Sequence, residues 1–439
     1  MRKIFTLLLV GTLFIQAQAQ EKWSLQKCID YALANNITIK QYEVSTEYQQ
    51  NELKQAKNNR LPNLNASVSQ SLSFGRSQQS DGTYKALNTS TTDFSIGASA
   101  TLFNGGRLNN NIVNLDYTFK KSIEDLQKAK DDVTLNIASG FLEILFAKEL
   151  IKAAEAQIDQ TQKQVERTKQ LVDAGKVAEG TLLELYAQEA REELDLVTKQ
   201  NSLQIALMNL SQLLELDSYS GFDVEIPELP EIKAQSSVTN ASSVYEKAVL
   251  NRPEIRSADY QLKSAEAQLK VAKSGLYPSL SASAGFGDPY YNVLNVTEDD
   301  FGTQLKNNTS KYLGLSLDIP IFNKFQNRTN IENSKLQIRN YQLQLESTKK
   351  ELRKQIEQAY TNAVAAQKKF SANMVAVKSM TESFRYIEEK YSVGKVNSVE
   401  YNDAKSKLAI AESDLIQAKY EFIFRSKILD FYNGIPIQL

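Results

Sequence analysis

The sequence contains no histidine and a single cysteine, Cys28. Imidazole is the usual general base and metal ligand near neutral pH, and a disulfide needs two thiols. Imidazole catalysis, histidine-ligated metal sites and an internal disulfide are therefore excluded. A surplus of charge is missing too: 51 Lys and Arg stand against 52 Asp and Glu. A nucleic-acid binder would carry a clear basic excess, so nucleic acid is not an expected partner. No Gly-rich phosphate loop or nucleophile motif is present, and neither an enzyme activity nor a cofactor or metal is expected. After the first 19 residues no apolar run approaches the roughly 20 residues of a transmembrane helix. Any membrane crossing by the mature chain must then be a closed β-barrel.

The N-terminus reads as an export signal over 1–19. Arg2 and Lys3 form its basic region, Ile4 to Ile15 its apolar region, and Ala17-Gln18-Ala19 the cleavage site. Cys28 lies well past the cut in a helical stretch, which suits a buried structural thiol rather than a lipid-attachment site.

The rest of the chain repeats itself. Asn35, Ala56, Lys57 and Pro62 match Asn251, Ala272, Lys273 and Pro278 at an offset of 216 residues. Further on, Phe103-Asn104, Ile137, Gly175-Lys176-Val177 and Leu210 match Phe322-Asn323, Ile356, Gly394-Lys395-Val396 and Leu429 at 219. Two repeats, 20–216 and 244–439, are joined by a linker over 217–243 that holds Pro227 and Pro230.

Each repeat opens with an amphipathic helix, expected over 24–59 and 242–275 and closed by Leu61-Pro62 and Tyr277-Pro278. Strands with strict alternation follow. Leu64, Ala66, Val68, Leu72 and Phe74 share one face of the first. Phe94, Ile96, Ala98, Ala100 and Leu102 share one face of the second. The corresponding sets are Leu280, Ala282, Ala284 and Phe286 on the third, and Leu313, Leu315, Leu317 and Ile319 on the fourth. The opposite faces are mostly Ser and Gly. Such strands are long enough to cross a bilayer at a tilt, with a wet lumen on the Ser/Gly side. A water-soluble sheet with one face on a core gives the same alternation. The polar stretches 76–92 and 288–311 are expected as loops between paired strands.

Residues 108–173 hold one Gly and no Pro and read as a single helix of about 100 Å. Ile137, Ile144, Ile151, Ile158, Val165 and Val172 recur every seven residues. Gly140, Ala147, Ala154, Thr161 and Thr168 follow the first five of them at a spacing of three. Ile356, Ala363, Phe370, Val377, Phe384 and Tyr391 are the counterparts in the second repeat. A strict heptad implies a left-handed coiled coil touching neighbours along narrow seams. Gly175 and Gly394 end these helices. The chain then returns along Leu182, Leu196, Leu203 and Leu210, and along Tyr401, Leu415, Phe422 and Leu429. Four strands cannot close in lipid, so several chains must pool them.

This pattern resembles the TolC family of outer-membrane channels over essentially the whole mature chain. The most specific stretch is Tyr391-Ser392-Val393-Gly394-Lys395-Val396-Asn397-Ser398-Val399-Glu400-Tyr401-Asn402-Asp403-Ala404, which is similar to the family's second helical-tip signature. Leu171 to Val177, followed by Thr181 and Glu184, resembles the first. The resemblance implies an α+β fold: a homotrimer with a 12-stranded transmembrane β-barrel, four strands per chain, continuous with a periplasmic α-helical coiled-coil barrel. It implies outer-membrane lipid around the barrel, a periplasmic adaptor docking at the tips, and an inner-membrane transporter. The tip residues implied for the adaptor are Gly175, Lys176, Val177, Gly394, Lys395 and Val396. By motif match Glu400 and Asp403 would ring the periplasmic entrance and favour cations, against the plainer reading of two solvated helix acids. Tyr391, Glu184 and Thr181 match positions that hold the closed tip. A basic latch used by some members, two places after the second glycine, is Val396 here. A secreted coiled-coil scaffold or adhesin is the competing reading. It explains the heptads and the export signal but not four alternating strands placed alike in both repeats.

Overall fold

The computed structural model describes residues 22–78, 81–227, 239–293 and 300–437. The expected export signal at 1–19, the middle of the linker and short pieces of both strand-joining stretches lie outside the described residues. The elements, in order, are α1 (Leu25–Asn35), α2 (Ile37–Asn58), β1 (Asn63–Ser73), β2 (Arg76–Gln78), β3 (Tyr84–Ala86), β4 (Thr89–Asn104), α3 (Arg107–Asp173), α4 (Glu179–Leu213), α5 (Ala241–Asn251), α6 (Pro253–Ser274), β5 (Ser279–Val293), α7 (Phe301–Asn307), β6 (Ser310–Asp318), α8 (Gln326–Ser392) and α9 (Ser398–Tyr432). They divide into two units. One comprises Tyr42–Gln127 and Pro253–Lys350; the other comprises the chain up to Gln41, Lys128–Arg252 and everything from Glu351.

The strand-bearing unit contains an antiparallel four-stranded sheet in the order β1-β4-β5-β6. Its register sorts side chains as the alternation demands. On the apolar face Leu64, Ala98, Ala284 and Leu313 form one row, and Ala66, Ile96 and Phe286 another, which ends on β6 at Lys311. Ser67, Ser95, Gly287 and Ser310 form a row on the opposite face, where the Ser67 and Ser95 hydroxyls are 2.7 Å apart. The apolar face has no core beneath it: Leu64 is 73 % exposed and Leu313 is 84 % exposed. That observation disposes of a water-soluble sheet packed on a core, because burial of those side chains is what would stabilise it.

The strand-joining stretches carry more structure than expected. A small β2–β3 hairpin stands in the first. In the second, β5 runs on to Val293 and α7 folds against it. Asp300 caps α7, its carboxylate accepting from the Gly302 and Thr303 amides at 3.0 and 3.3 Å. The Gln304 side chain then pairs with both the N–H and the C=O of Tyr291, at 2.9 and 2.8 Å. The amide thus supplies a partner to the β5 edge above the point where β6 has ended, which protects an otherwise open edge.

The helices expected over 24–59 and 242–275 are each split in two. Asn36 leaves the helical region (φ −59°, ψ 127°) and its side-chain oxygen accepts from the Thr38 and Ile39 amides at 3.0 and 3.3 Å. One residue therefore ends α1 and caps α2. In the second repeat Pro253 occupies the first position of α6, and Arg252 before it is forced out of the helical region.

In the other unit the heptad residues are where the core forms. Ile137, Ile144, Ile158, Ala147, Ala154, Thr161 and Thr168 are buried on α3. Phe370 of α8 stacks on Phe422 of α9 with ring centroids 6.2 Å apart, beside buried Ala366 and Ala418. Residues 217–227, within the expected linker, pack closely: Phe222 and Val224 are buried, and Val224 pairs with Trp23 in a parallel bridge. Lys148 of α3 bonds the Asp223 carboxylate and, at 2.9 Å, the Val224 carbonyl. Cys28 is fully buried and burial pushes its thiol up to about 12, which keeps it an unreactive thiol.

Asn36 also donates to the Leu213 carbonyl at 3.1 Å. Asn36→Ala removes a cap and a long-range hydrogen bond together and is expected to cost about 2 kcal/mol. Denaturant unfolding followed by helical circular dichroism checks this, and an unchanged midpoint would contradict the dual role.

Candidate functional site

The tips of the two helical hairpins are built alike. In the first, the Gly175 amide reaches back to the Val172 carbonyl and the Lys176 amide to the Leu171 carbonyl, both at 2.8 Å. In the second, Gly394 bonds Tyr391 at 3.0 Å and Lys395 bonds Lys390 at 2.9 Å. Both glycines take left-handed backbone (φ +68° and +72°), where a Cβ is strained. Gly175, Lys176, Gly394 and Lys395 are exposed, while Val177 and Val396 are half-buried.

After the second tip Asn397 caps α9 by accepting from the Glu400 amide at 2.9 Å. Glu400 thus sits in the first turn, where the helix dipole favours a carboxylate. Asp403 lies three residues on, so both acids occupy one face. Both are exposed, and Asp403 pairs with Lys407 at 2.6 Å.

Tyr391 stacks on Tyr401 (centroids 4.7 Å apart), and Tyr401 also meets Phe384 at 5.4 Å. This aromatic column packs α8 on α9. Burial pushes the Tyr401 hydroxyl up to about 12. Glu184 of the first hairpin accepts a hydrogen bond from the Ser398 hydroxyl of the second. The structure therefore brings Glu184 to the start of α9, close in sequence to Glu400. It places Tyr391 within its own hairpin and Thr181 in the first turn of α4, its amide 3.0 Å from the Ala178 carbonyl.

A buried polar cluster joining the hairpins was not anticipated from the sequence. Lys405 of α9 reaches Glu192 of α4 at 3.2 Å and bonds the Thr161 hydroxyl of α3. Glu192 also accepts from Gln157 at 3.0 Å and Gln188 at 2.9 Å. Burial draws the Lys405 pKa down, opposed by the Glu192 charge. A usable signal existed: Lys405 follows the seam residue Tyr401 by four, so it lies on the buried face of α9. No helix among the described residues is long and apolar enough to cross a membrane, and no cluster of side chains among them could hold a metal ion. The strand-bearing unit has a cleft of about 710 Å³ whose wall includes Asn114, Ser264, Gln268, Asn327, Asn330 and Ser334, a surface suited to water.

Comparison with known proteins gives a consistent result. The family model described as "Outer membrane efflux protein" matches residues 28–215 and 244–429. Outer membrane protein TolC of Escherichia coli is 25 % identical over 360 residues, covering 75 % of this chain and 71 % of that protein. Outer membrane efflux protein BepC of Brucella suis is 19 % identical over 427 residues, covering 96 % and 87 %. Among solved structures, CusC superposes with a TM-score of 0.78 at 18 % identity, covering 94 % of this chain and 92 % of that one, which establishes the fold alone.

Lys405→Met strands the Glu192 carboxylate in the packed seam and is expected to cost about 3–5 kcal/mol, whereas exchanging both partners for apolar residues costs far less. Denaturant unfolding of the single variant and of Lys405→Met with Glu192→Leu makes the comparison; equal losses would show that the pair is not coupled.

Proposed function

This chain belongs to the outer membrane efflux protein family, and from that premise we propose how its parts divide the work. It is an outer-membrane exit channel of TolC-like α+β fold that extends into the periplasm, which sets aside a secreted scaffold or adhesin. The finer reading is a homotrimer, each chain a tandem duplication with repeats over 20–216 and 244–439. The observation that carries it is the four-stranded sheet, whose apolar face has no core beneath it among the described residues, with β1 and β6 at its edges. In hydrocarbon those edges must be satisfied by other strands. Eight strands would be filled by side chains, while twelve, from three chains, leave a lumen.

The tips face the periplasmic partners. Gly175, Lys176, Val177, Gly394, Lys395 and Val396 form the surface for a periplasmic adaptor, which links the channel to an inner-membrane transporter of an efflux pump or a type I secretion system. Glu400 and Asp403 of three chains place six carboxylates around the entrance, giving it a preference for cations. Tyr391, Glu184 and Thr181 hold the entrance closed: Glu184 through its bond to Ser398, Tyr391 by keeping α8 on α9, and Thr181 by fixing the first turn of α4.

Channels carrying Glu400→Gln and Asp403→Asn together are expected to lose cation preference in planar bilayers. Of the single variants Glu400→Gln has the larger effect, because Lys407 already offsets Asp403. Reversal potentials under a salt gradient measure this, and an unchanged value rejects the ring.

Adaptor contact is tested by crosslinking from Lys176→Cys and Lys395→Cys, which avoid the strained glycine positions. Crosslinks to the adaptor are expected at both, with none from Thr83→Cys beyond the strands. Capture only at the latter position would refute docking at the tips.

A further inference from the structure

On the Ser/Gly face of the sheet, Asn65, Gly97, Gly285 and Tyr312 form one row across all four strands. The Tyr312 ring does not stand out from that row. A Cβ built on Gly285 would lie 2.7 Å from the Tyr312 hydroxyl oxygen and closer still to two ring carbons, and one built on Gly97 would lie 3.6 Å from the same hydroxyl. The side chain therefore runs flat over β5 towards β4, one ring face on the glycine backbone, while Tyr312 remains 58 % exposed. Neither glycine is demanded by its backbone, since neither has a positive φ. A glycine inside a strand weakens it and commonly marks a close approach. What Gly285 provides is room for the ring.

We propose that Tyr312 sets the bore of the outer-membrane barrel, and that Gly285 keeps the channel wide by seating the ring against the wall. The proposal rests on the reading above that the Ser/Gly face lines the lumen of a trimer. Three tyrosines would then lie at one height. The flanking rows offer only shorter groups: Ser67, Ser95, Gly287 and Ser310 on one side, Asn63, Ser99, Ser283 and Gly314 on the other. No residue in those rows projects as far as a phenol. A Cβ at Gly285 meets the far end of a flexible side chain rather than backbone, so it is the ring that yields. The wall lies behind it, leaving only the lumen to move into. At Gly97 the same methyl reaches ordinary van der Waals contact and displaces nothing. Covering a strand glycine with an aromatic also stabilises a sheet, so the test must separate bore from stability.

Ser281→Cys places a thiol on the lumen face two rungs nearer the helices, and the buried Cys28 does not compete. In cells carrying this channel, labelling from outside is followed with a small methanethiosulfonate and with a maleimide on a bulky polyethylene glycol. The small reagent is expected to react alike in all variants. The bulky one is expected to react several-fold more slowly with Gly285→Ala, unchanged with Gly97→Ala, and at the parent rate again with Gly285→Ala plus Tyr312→Ser. Equal bulky-reagent rates for Gly285→Ala and parent, or slowing that survives removal of Tyr312, overturns the proposal. A parent thiol that even the small reagent cannot reach overturns the lumen assignment itself, and the bore assignment with it.

Discussion

A β-strand in hydrocarbon has no water to satisfy its N–H and C=O groups, and an unpaired group there costs several kcal/mol. That constraint governs this chain. Among the described residues its sheet carries an apolar face with no core beneath it, touched only towards one end where Phe301 of α7 meets Phe94, and β1 and β6 form its edges. In water the face would drive aggregation and the edges would template it. In a bilayer the face is solvated by lipid, and the edges find partners only if other copies supply them. On the trimer reading proposed above, assembly state and the existence of a lumen both trace to one unsatisfied ladder. On that reading the small residues of the opposite face are the complement: Ser and Gly would keep the enclosed space wide and wet.

The helical region solves a different problem. Its helices are too long to sit around a single compact core, and although α3 buries a broad face at 137–147, beyond Ala147 its buried stripe (Ala154, Ile158, Thr161, Thr168) is one heptad seam wide. Ile137, Ile144 and Ile158 alternate with Ala147, Ala154 and Thr161, so bulky residues sit beside small ones along α3. Seams of this kind let helices lie side by side as a wall rather than collapse into a globule. A narrow seam also leaves little apolar area with which to fix the register of one hairpin on the next. Polar contacts take up that task. Lys405, Glu192 and Thr161 lock α9 to α4 and α3 at a defined height, as a buried polar residue fixes register in a coiled coil. The Lys405–Glu192 pair lies nine residues past Val396, well behind the tip.

The long elements were legible because their signals are periodic and repeated. The helix expected over 108–173 is observed as Arg107–Asp173, and its counterpart α8 has the same 67 residues. Gly175 and Gly394 announced their own turns. The features that escaped are held by contacts the local pattern does not encode. Asn36 interrupts a helix whose apolar periodicity continues through it, because its side chain finds two amides and a distant carbonyl. The seven residues of α7 show no period, and Gln304 secures them through a backbone thirteen residues away. The Lys405–Glu192 pair spans 213 positions and joins two repeats, so only the packing of the hairpins brings it together. Of the tip residues, the glycines and the caps could be read directly; the partner of Glu184 could not, since Ser398 belongs to the other hairpin.

The two copies also show where geometry is imposed rather than chosen locally. Between β4 and α3 the chain turns through Gly105 and Gly106 with φ +62° and +80°. The equivalent turn between β6 and α8 is made by Lys324 and Phe325 at φ +54° and +61°. Left-handed backbone costs a residue with a side chain about 1–2 kcal/mol, so the second turn is not there by preference. The same left-handed turn between strand and helix is therefore kept in both repeats whether or not glycine is there. Glycine is retained in the first copy for a further reason: a Cβ on Gly105 would meet the Tyr277 Cβ at 2.7 Å and the Ser274 carbonyl at 2.8 Å, where the next strand begins. Because β6 is the last strand of the sheet, its turn meets no following strand of the same chain, and side chains can be carried there. Phe325 uses that freedom to pack edge-on against Phe322, with ring centroids 5.6 Å apart. The asymmetry between copies thus falls at β6, an edge strand of the sheet.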